Sequence, residues 1–185
     1  MRPSAYQLDC ILREAVGIKH YAGIGSRSTP EDVQLLMTGV AVALRKNKWI
    51  LRSGGARGAD QAFEAGADDL KEVYLPWEGY EDSESELYPP HEDCYDYVKV
   101  FHPAPYNLKF AVETLLARNT HQLLGRDLDS PSCLVICWTP GGKDVGGTAQ
   151  ALRVARAYDI PISNLADPEQ RDFWERFCAK QGTKK

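Results

Sequence analysis

The strongest constraint on this chain is the order in which short apolar runs and helix-length segments succeed one another. Lys19–Ile24 (KHYAGI), Trp49–Ser53 (WILRS), Glu72–Trp77 (EVYLPW), Cys133–Trp138 (CLVICW) and Pro161–Leu165 each fit a strand, and none leads into a hairpin-length link. Parallel strands need crossovers of about a dozen residues or more, usually helical, and such βαβ crossovers close right-handed. The fold class expected is therefore α/β: a Rossmann-like open parallel sheet with helices on both faces, in a single domain over residues 1–185. CLVICW is apolar almost throughout and belongs near the middle of the sheet, where both faces are covered.

The helices are read from periodicity. Ser28-Thr29-Pro30-Glu31-Asp32 forms a helix start, with Thr29 as N-cap, Pro30 in the first helical position and Asp32 closing a capping box. Val33, Leu36, Met37, Val40 and Leu44 then mark a buried stripe. Further helices carry Ala59, Ala62, Phe63 and Gly66 on one face, then Leu108, Ala111, Val112, Leu115 and Leu116. The last two span Gly146–Tyr158 and Asp167–Lys180, the latter turning Phe173, Trp174 and Phe177 inward, before a short Gln181–Lys185 tail. Residues 78–107 hold Pro89, Pro90, Pro103 and Pro105, and acids run from Glu78 to Asp96 without a lysine or arginine. This segment is expected to be an irregular, solvated excursion.

Charge and composition then exclude some functions. A net charge of −4 opposes sequence-blind binding of duplex DNA, which is driven by phosphate neutralisation, yet leaves room for a local basic pocket. No apolar run approaches the roughly 20 residues of a membrane span and no signal peptide opens the sequence, so a cytoplasmic protein with no membrane contact is expected. Five cysteines, an odd number without framework spacing, read as free thiols. His91-Glu-Asp-Cys94 has no second ligand pair at zinc-like spacing, so no metal is expected.

The turns that leave the strands carry the functional signal. After the first comes Gly23-Ile-Gly25-Ser26-Arg27; after the second, Ser53-Gly54-Gly55-Ala-Arg57-Gly58-Ala-Asp60; after the third, Trp77; after the fourth, Pro140-Gly141-Gly142-Lys143-Asp144-Val145-Gly146-Gly147-Thr148. In a parallel sheet these turns share one edge, where ligands bind outside the carboxyl ends of the strands. Glycines let backbone N–H groups approach a ligand, helix N-termini favour anions, and Arg27, Arg57 and Lys143 supply charge-assisted bonds. Trp77 could stack on a base. Neither standard nucleotide fingerprint is complete. Gly23-x-Gly25-x-x-Ser28 lacks its third glycine, and Gly142-x-x-x-x-Gly147-Thr148 lacks the P-loop lysine. No cofactor is expected.

These residues also carry a family resemblance. Gly25-Ser26-Arg27 together with Leu51–Asp60 resembles the Rossmann-like domain of the DNA-processing protein A (DprA) family. Pro140-Gly141-Gly142 followed by Gly147-Thr148 is similar to the PGGxGTxxE motif of the "Lonely guy" (LOG) nucleotide hydrolases. Both belong to the SLOG superfamily, and the layout most resembles stand-alone, often phage-borne, DprA-like proteins. The resemblance covers about half the chain, Tyr21–Trp77 and Cys133–Leu165. It implies a bacterial or phage-infected host cell and a homo-oligomer paired through helices flanking the sheet. It also implies a partner that is a nucleotide, a nucleotide-derived small molecule or single-stranded DNA.

Two departures limit the transfer. The glutamate that LOG enzymes place three residues after the motif threonine is Ala151 here, beside Gln150, so an acid from elsewhere (Asp60, Glu64, Asp144 or Glu113) would have to serve an N-glycosidase. The further winged-helix-like domain usual in DprA proteins is not expected in a chain of this length. Arg118-Asn119 reads as a solvated helix end, and His20, His91, His102 and His121 show no nucleophile partner. The leading expectation is binding of a nucleotide or nucleotide-derived phosphate ligand, for sensing or sequestration. Hydrolysis of a nucleoside monophosphate and DprA-like binding of single-stranded DNA are the alternatives.

Overall fold

The computed structural model describes residues 2–182. Its elements, in chain order, are α1 (Ala5–Glu14), β1 (Lys19–Gly25), α2 (Glu31–Lys46), β2 (Trp49–Ser53), α3 (Ala59–Ala67) and β3 (Lys71–Val73). There come next α4 (Asp93–Phe101), α5 (Phe110–Leu124), β4 (Leu134–Trp138), α6 (Gly146–Ala157), β5 (Ile162–Asn164) and α7 (Pro168–Gly182). The five strands form one sheet in the order β3-β2-β1-β4-β5, and every pairing is parallel. This is the single-domain, Rossmann-like α/β architecture expected from the alternation of strands and helices.

The two faces arise from the two-residue period of the strands. Tyr21, Leu134 and Ile136 pack with Val33, Met37, Phe63, Leu8 and Trp174, which places α1, α2, α3 and α7 over one face. Ala22, Ile24, Val135 and Cys137 pack with Leu123, Leu124, Leu152 and Val154, which places α5 and α6 over the other. The chain therefore changes face after β3, and β1 and β4 become neighbours whose connections leave in opposite directions. That boundary is the switch point of a doubly wound sheet.

Several local expectations change. α2 starts without a side-chain cap, because Pro30 stands in the N-cap position. The Thr29 hydroxyl donates instead to the Ser26 carbonyl, 2.6 Å away, tying the helix entry to the first turn. The third strand stops at Val73; Tyr74 forms an isolated bridge to Leu87, and Leu75 N–H donates to Leu87 O at 2.9 Å. The 78–107 excursion is not irregular throughout. It contains α4, which buries Cys94 and Val98 against Leu116 and Ala117 of α5. α1 adds to the elements expected from the sequence, and Ser4 and Gln7 make its complete capping box. Gln181 and Gly182 complete α7, while the rest of the expected tail, 183–185, lies outside the described residues. All five cysteines are free thiols. No helix among the described residues is long and apolar enough to cross a membrane.

Candidate functional site

At the switch point, Gly25 pairs with Trp138, and Ser26 N–H donates to Trp138 O at 3.1 Å, so the β1 and β4 turns open side by side. A cleft of about 430 Å³ lies there, a volume typical of small-ligand sites. It is lined by Ile24, Gly25, Ser26, Arg27, Ala56 and Asp60 from the first two turns, and by Pro140, Val145, Gly146, Gly147, Thr148 and Ala151 from the β4 turn and α6. α5 closes the remaining side with Val112, Leu115, Leu116, Arg118, Asn119 and Gln122.

The contribution of α5 is what the sequence alone did not reveal. Arg118 and Asn119 are not a solvated helix end: both are buried, as is every residue from Leu116 to Leu124. Arg118 Nη1 stands 3.4 Å from the Asp60 carboxylate, with the two side chains almost wholly removed from water. Asp60 occupies the first turn of α3, where a carboxylate suits the helix dipole. Burial nevertheless dominates and pushes its carboxyl up to about 6, the Arg118 charge opposing and Glu64 adding to the rise. Burial also raises the carboxyl of Glu64, which accepts the Gly55 N–H at 2.9 Å. One signal was present: an Arg-Asn-Thr-His-Gln run in mid-helix, flanked by leucines and alanines, is what a helix shows when a polar segment meets a buried partner.

Gly54 exists to admit that arginine. A Cβ there would stand 1.4 Å from Arg118 Nη1 and 2.3 Å from its Cζ, so only glycine lets the guanidinium lie against the turn. Gly58 has φ 83° and would direct a Cβ to 2.7 Å from the carbonyl oxygens of Ser26 and Arg27. Gly23 and Gly25 are closed in the same way, by Leu51 and Phe63 and by Ala59 and Trp138. The SGGARGAD turn is thus largely consumed by the chain itself. Ala59 N–H donates to Ser26 O at 3.4 Å, and the Ser53 hydroxyl donates to Asp60 O at 3.4 Å.

The β4 turn behaves differently. α6 begins after Val145, whose side chain offers no acceptor, so among the described residues the N–H groups of Gly146, Gly147 and Thr148 have no side-chain cap. A Cβ at Gly146 would meet nothing, and one at Gly147 only an ordinary contact with Leu116 at 3.8 Å. Arg27 lines the same cleft, its Nη2 donating to Tyr80 Oη at 2.7 Å.

Other expected residues are placed elsewhere. Arg57 is exposed and its Nε bonds Glu81 at 2.7 Å, so the acidic excursion draws it away from the cleft. Trp77 meets Tyr80 edge to face at 5.3 Å and does not line the cleft. Gly141 and Gly142 face a neighbouring hollow beside the Arg156–Asp144 ion pair, and Lys143 lines neither. Ser53, Gly54 and Gly55 do not line the cleft. Ala151, where LOG enzymes carry glutamate, is buried at the cleft, so no carboxylate stands there. The histidines need one correction. His121 Nε2 lies 3.3 Å from Cys94 Sγ, but it also accepts the His91 N–H at 3.0 Å. Burial pushes the Cys94 thiol up to about 12, so the pair is inert packing and not an activated nucleophile.

No protein-family model matches the chain, and no curated protein sequence does. Among solved structures the chain is similar to DNA processing protein A from Helicobacter pylori, described for a single-stranded DNA binding mode. The likeness has a TM-score of 0.53 at 17% identity and covers 91% of this chain and 75% of that one. The fold is DprA-like. At that identity the likeness is one of fold.

Proposed function

We propose that the cleft binds single-stranded DNA, holding one phosphate between the start of α6 and Arg27. The observation that carries this reading is that an uncapped helix start, Gly146-Gly147-Thr148, and a cationic side chain, Arg27, line one ligand-sized cleft. Free N–H groups at a helix N-terminus and a guanidinium are complementary to a phosphate oxygen. The fold supports the choice of ligand, since the similar Helicobacter pylori protein is described as a single-stranded DNA binder. The net charge of −4 and the acidic run around the excursion disfavour a long duplex track.

A free nucleotide is the second reading, favoured by a cleft that would enclose a single nucleotide. Hydrolysis of such a nucleotide would fall to Asp60, the only carboxylate lining the cleft among the described residues, since Ala151 cannot act as acid or base. Fluorescence anisotropy of labelled oligo-dT at increasing salt separates these readings. Strand binding predicts an affinity that falls with salt and a smaller salt slope for Arg27→Ala. Saturation by dTMP with no response to oligo-dT favours the free nucleotide, and free base in the incubated mixture favours hydrolysis. No binding of either ligand overturns the proposal.

A further inference from the structure

The cleft is polarised from floor to rim. On the floor, Gln122 is 1% exposed, Asp60 3% and Arg118 5%, whereas Val145 at the rim is 44% exposed. Two buried donors on residues that line the cleft, Arg118 Nε and Gln122 Nε2, have no hydrogen-bond partner among the described residues. Buried polar atoms are nearly always paired, so orphan donors in the wall of a cleft point to a ligand that pairs them. The floor is a poor seat for phosphate. Asp60 lines it and Glu64 lies close behind, so two carboxylates face the single Arg118 guanidinium. The rim has the opposite character, with Arg27 and the uncapped start of α6. Ile24, Leu115 and Leu116 give the space between an apolar side suited to the face of a planar ring.

Resting on the strand-binding reading above, we propose that the nucleotide enters base first. The base edge bonds to Gln122, Arg118 and Asp60 on the floor, and the phosphate remains at the rim. The protein then reads bases by hydrogen bonding in addition to holding the backbone, and Gln122 is a specificity-determining residue.

Oligo-dT and oligo-dC of equal length test this, because thymine and cytosine share a ring size and differ in their donor and acceptor edge. A third strand of the same length carries abasic sites throughout. The wild-type protein should separate oligo-dT from oligo-dC by about fivefold or more, the scale of hydrogen-bonded base discrimination, and bind the abasic strand more weakly than the better of the two. Gln122→Leu should reduce that ratio by about twofold or more, with Arg118 and Asp60 retaining the remainder. Equal binding of oligo-dT and oligo-dC by the wild-type protein overturns the base-first arrangement and leaves strand binding standing. Abasic binding as tight as that of the better pyrimidine strand does the same. Failure of all three strands to bind overturns both. The wild-type comparison decides the matter even if Gln122→Leu does not fold.

Discussion

The turn after β2 and the turn after β4 are alike in composition and opposite in use. Both are glycine-rich, carry a basic residue and lead into a helix on the same edge of the sheet. In the first, Arg118 fills the space over Gly54, Ser26 O takes the Ala59 N–H, and Arg57 is tied to Glu81. In the second, Gly146 faces open space and three N–H groups lack a cap. A glycine in such a turn signals close approach, but the approaching group can be the protein's own. The closed turn builds the wall of the site, and the open one receives the ligand.

Substitution of the two turns should separate their roles. The largest effect belongs to Gly54→Ala. The new Cβ displaces Arg118 from its pocket and breaks the buried pair with Asp60, a change that costs about 4 kcal/mol, read as a lowered denaturation midpoint. Next comes Asp60→Asn. The Asp60 carboxyl is raised to about 6 from an ordinary value near 4, so between those values the folded state holds a proton that the unfolded state has lost. Its stabilising contribution is complete below the ordinary value and is lost as pH rises through about 6. The wild-type protein should lose up to about 3 kcal/mol across that window relative to Asp60→Asn, which lacks the titration. In the open turn the effect should move from stability to binding. Arg27→Ala is expected to weaken oligo-dT binding about tenfold, or ~1.4 kcal/mol. Gly147→Ala should leave stability unchanged or raise it by less than about 1 kcal/mol, since alanine favours a helix, while weakening binding several-fold by crowding the N–H groups. The smallest effect is that of Arg57→Ala. An exposed ion pair is worth about 0–1 kcal/mol, so stability and affinity should both hardly move.

The layered sheet was legible because strands and helices differ in the period of their apolar residues, and each element declares that period locally. α7, with Trp174 fully buried and Phe173 and Phe177 against the core, is such a case. α4 is hard to read because acids and prolines around it obscure the spacing of Cys94, Tyr97, Val98 and Phe101, which pack inward. The capping box of α1 was present in the sequence as Ser4 and Gln7, but no strong apolar stripe came after it to draw attention to it. The site was legible by half. Gly25, Ser26, Arg27, Asp60, Pro140 and Gly146 to Thr148 do meet at one cleft, because a parallel sheet brings all its βα turns to one edge. Arg118 and Gln122 could not be read that way. Their partners, Asp60 and the bare backbone at Gly54, are more than fifty residues distant in sequence, and only the crossover to the second face of the sheet brings them together.

The functional reading stands or falls with a nucleic-acid phosphate seated between the open start of α6 and Arg27. Mapping backbone amide chemical shifts while oligo-dT is added gives the sharpest test. The amides of Gly146, Gly147 and Thr148 should shift most, with Arg27 moving at the same strand concentration. Saturable binding that leaves those amides unmoved, while residues at the opposite edge such as Lys19 and Trp49 respond, would contradict it.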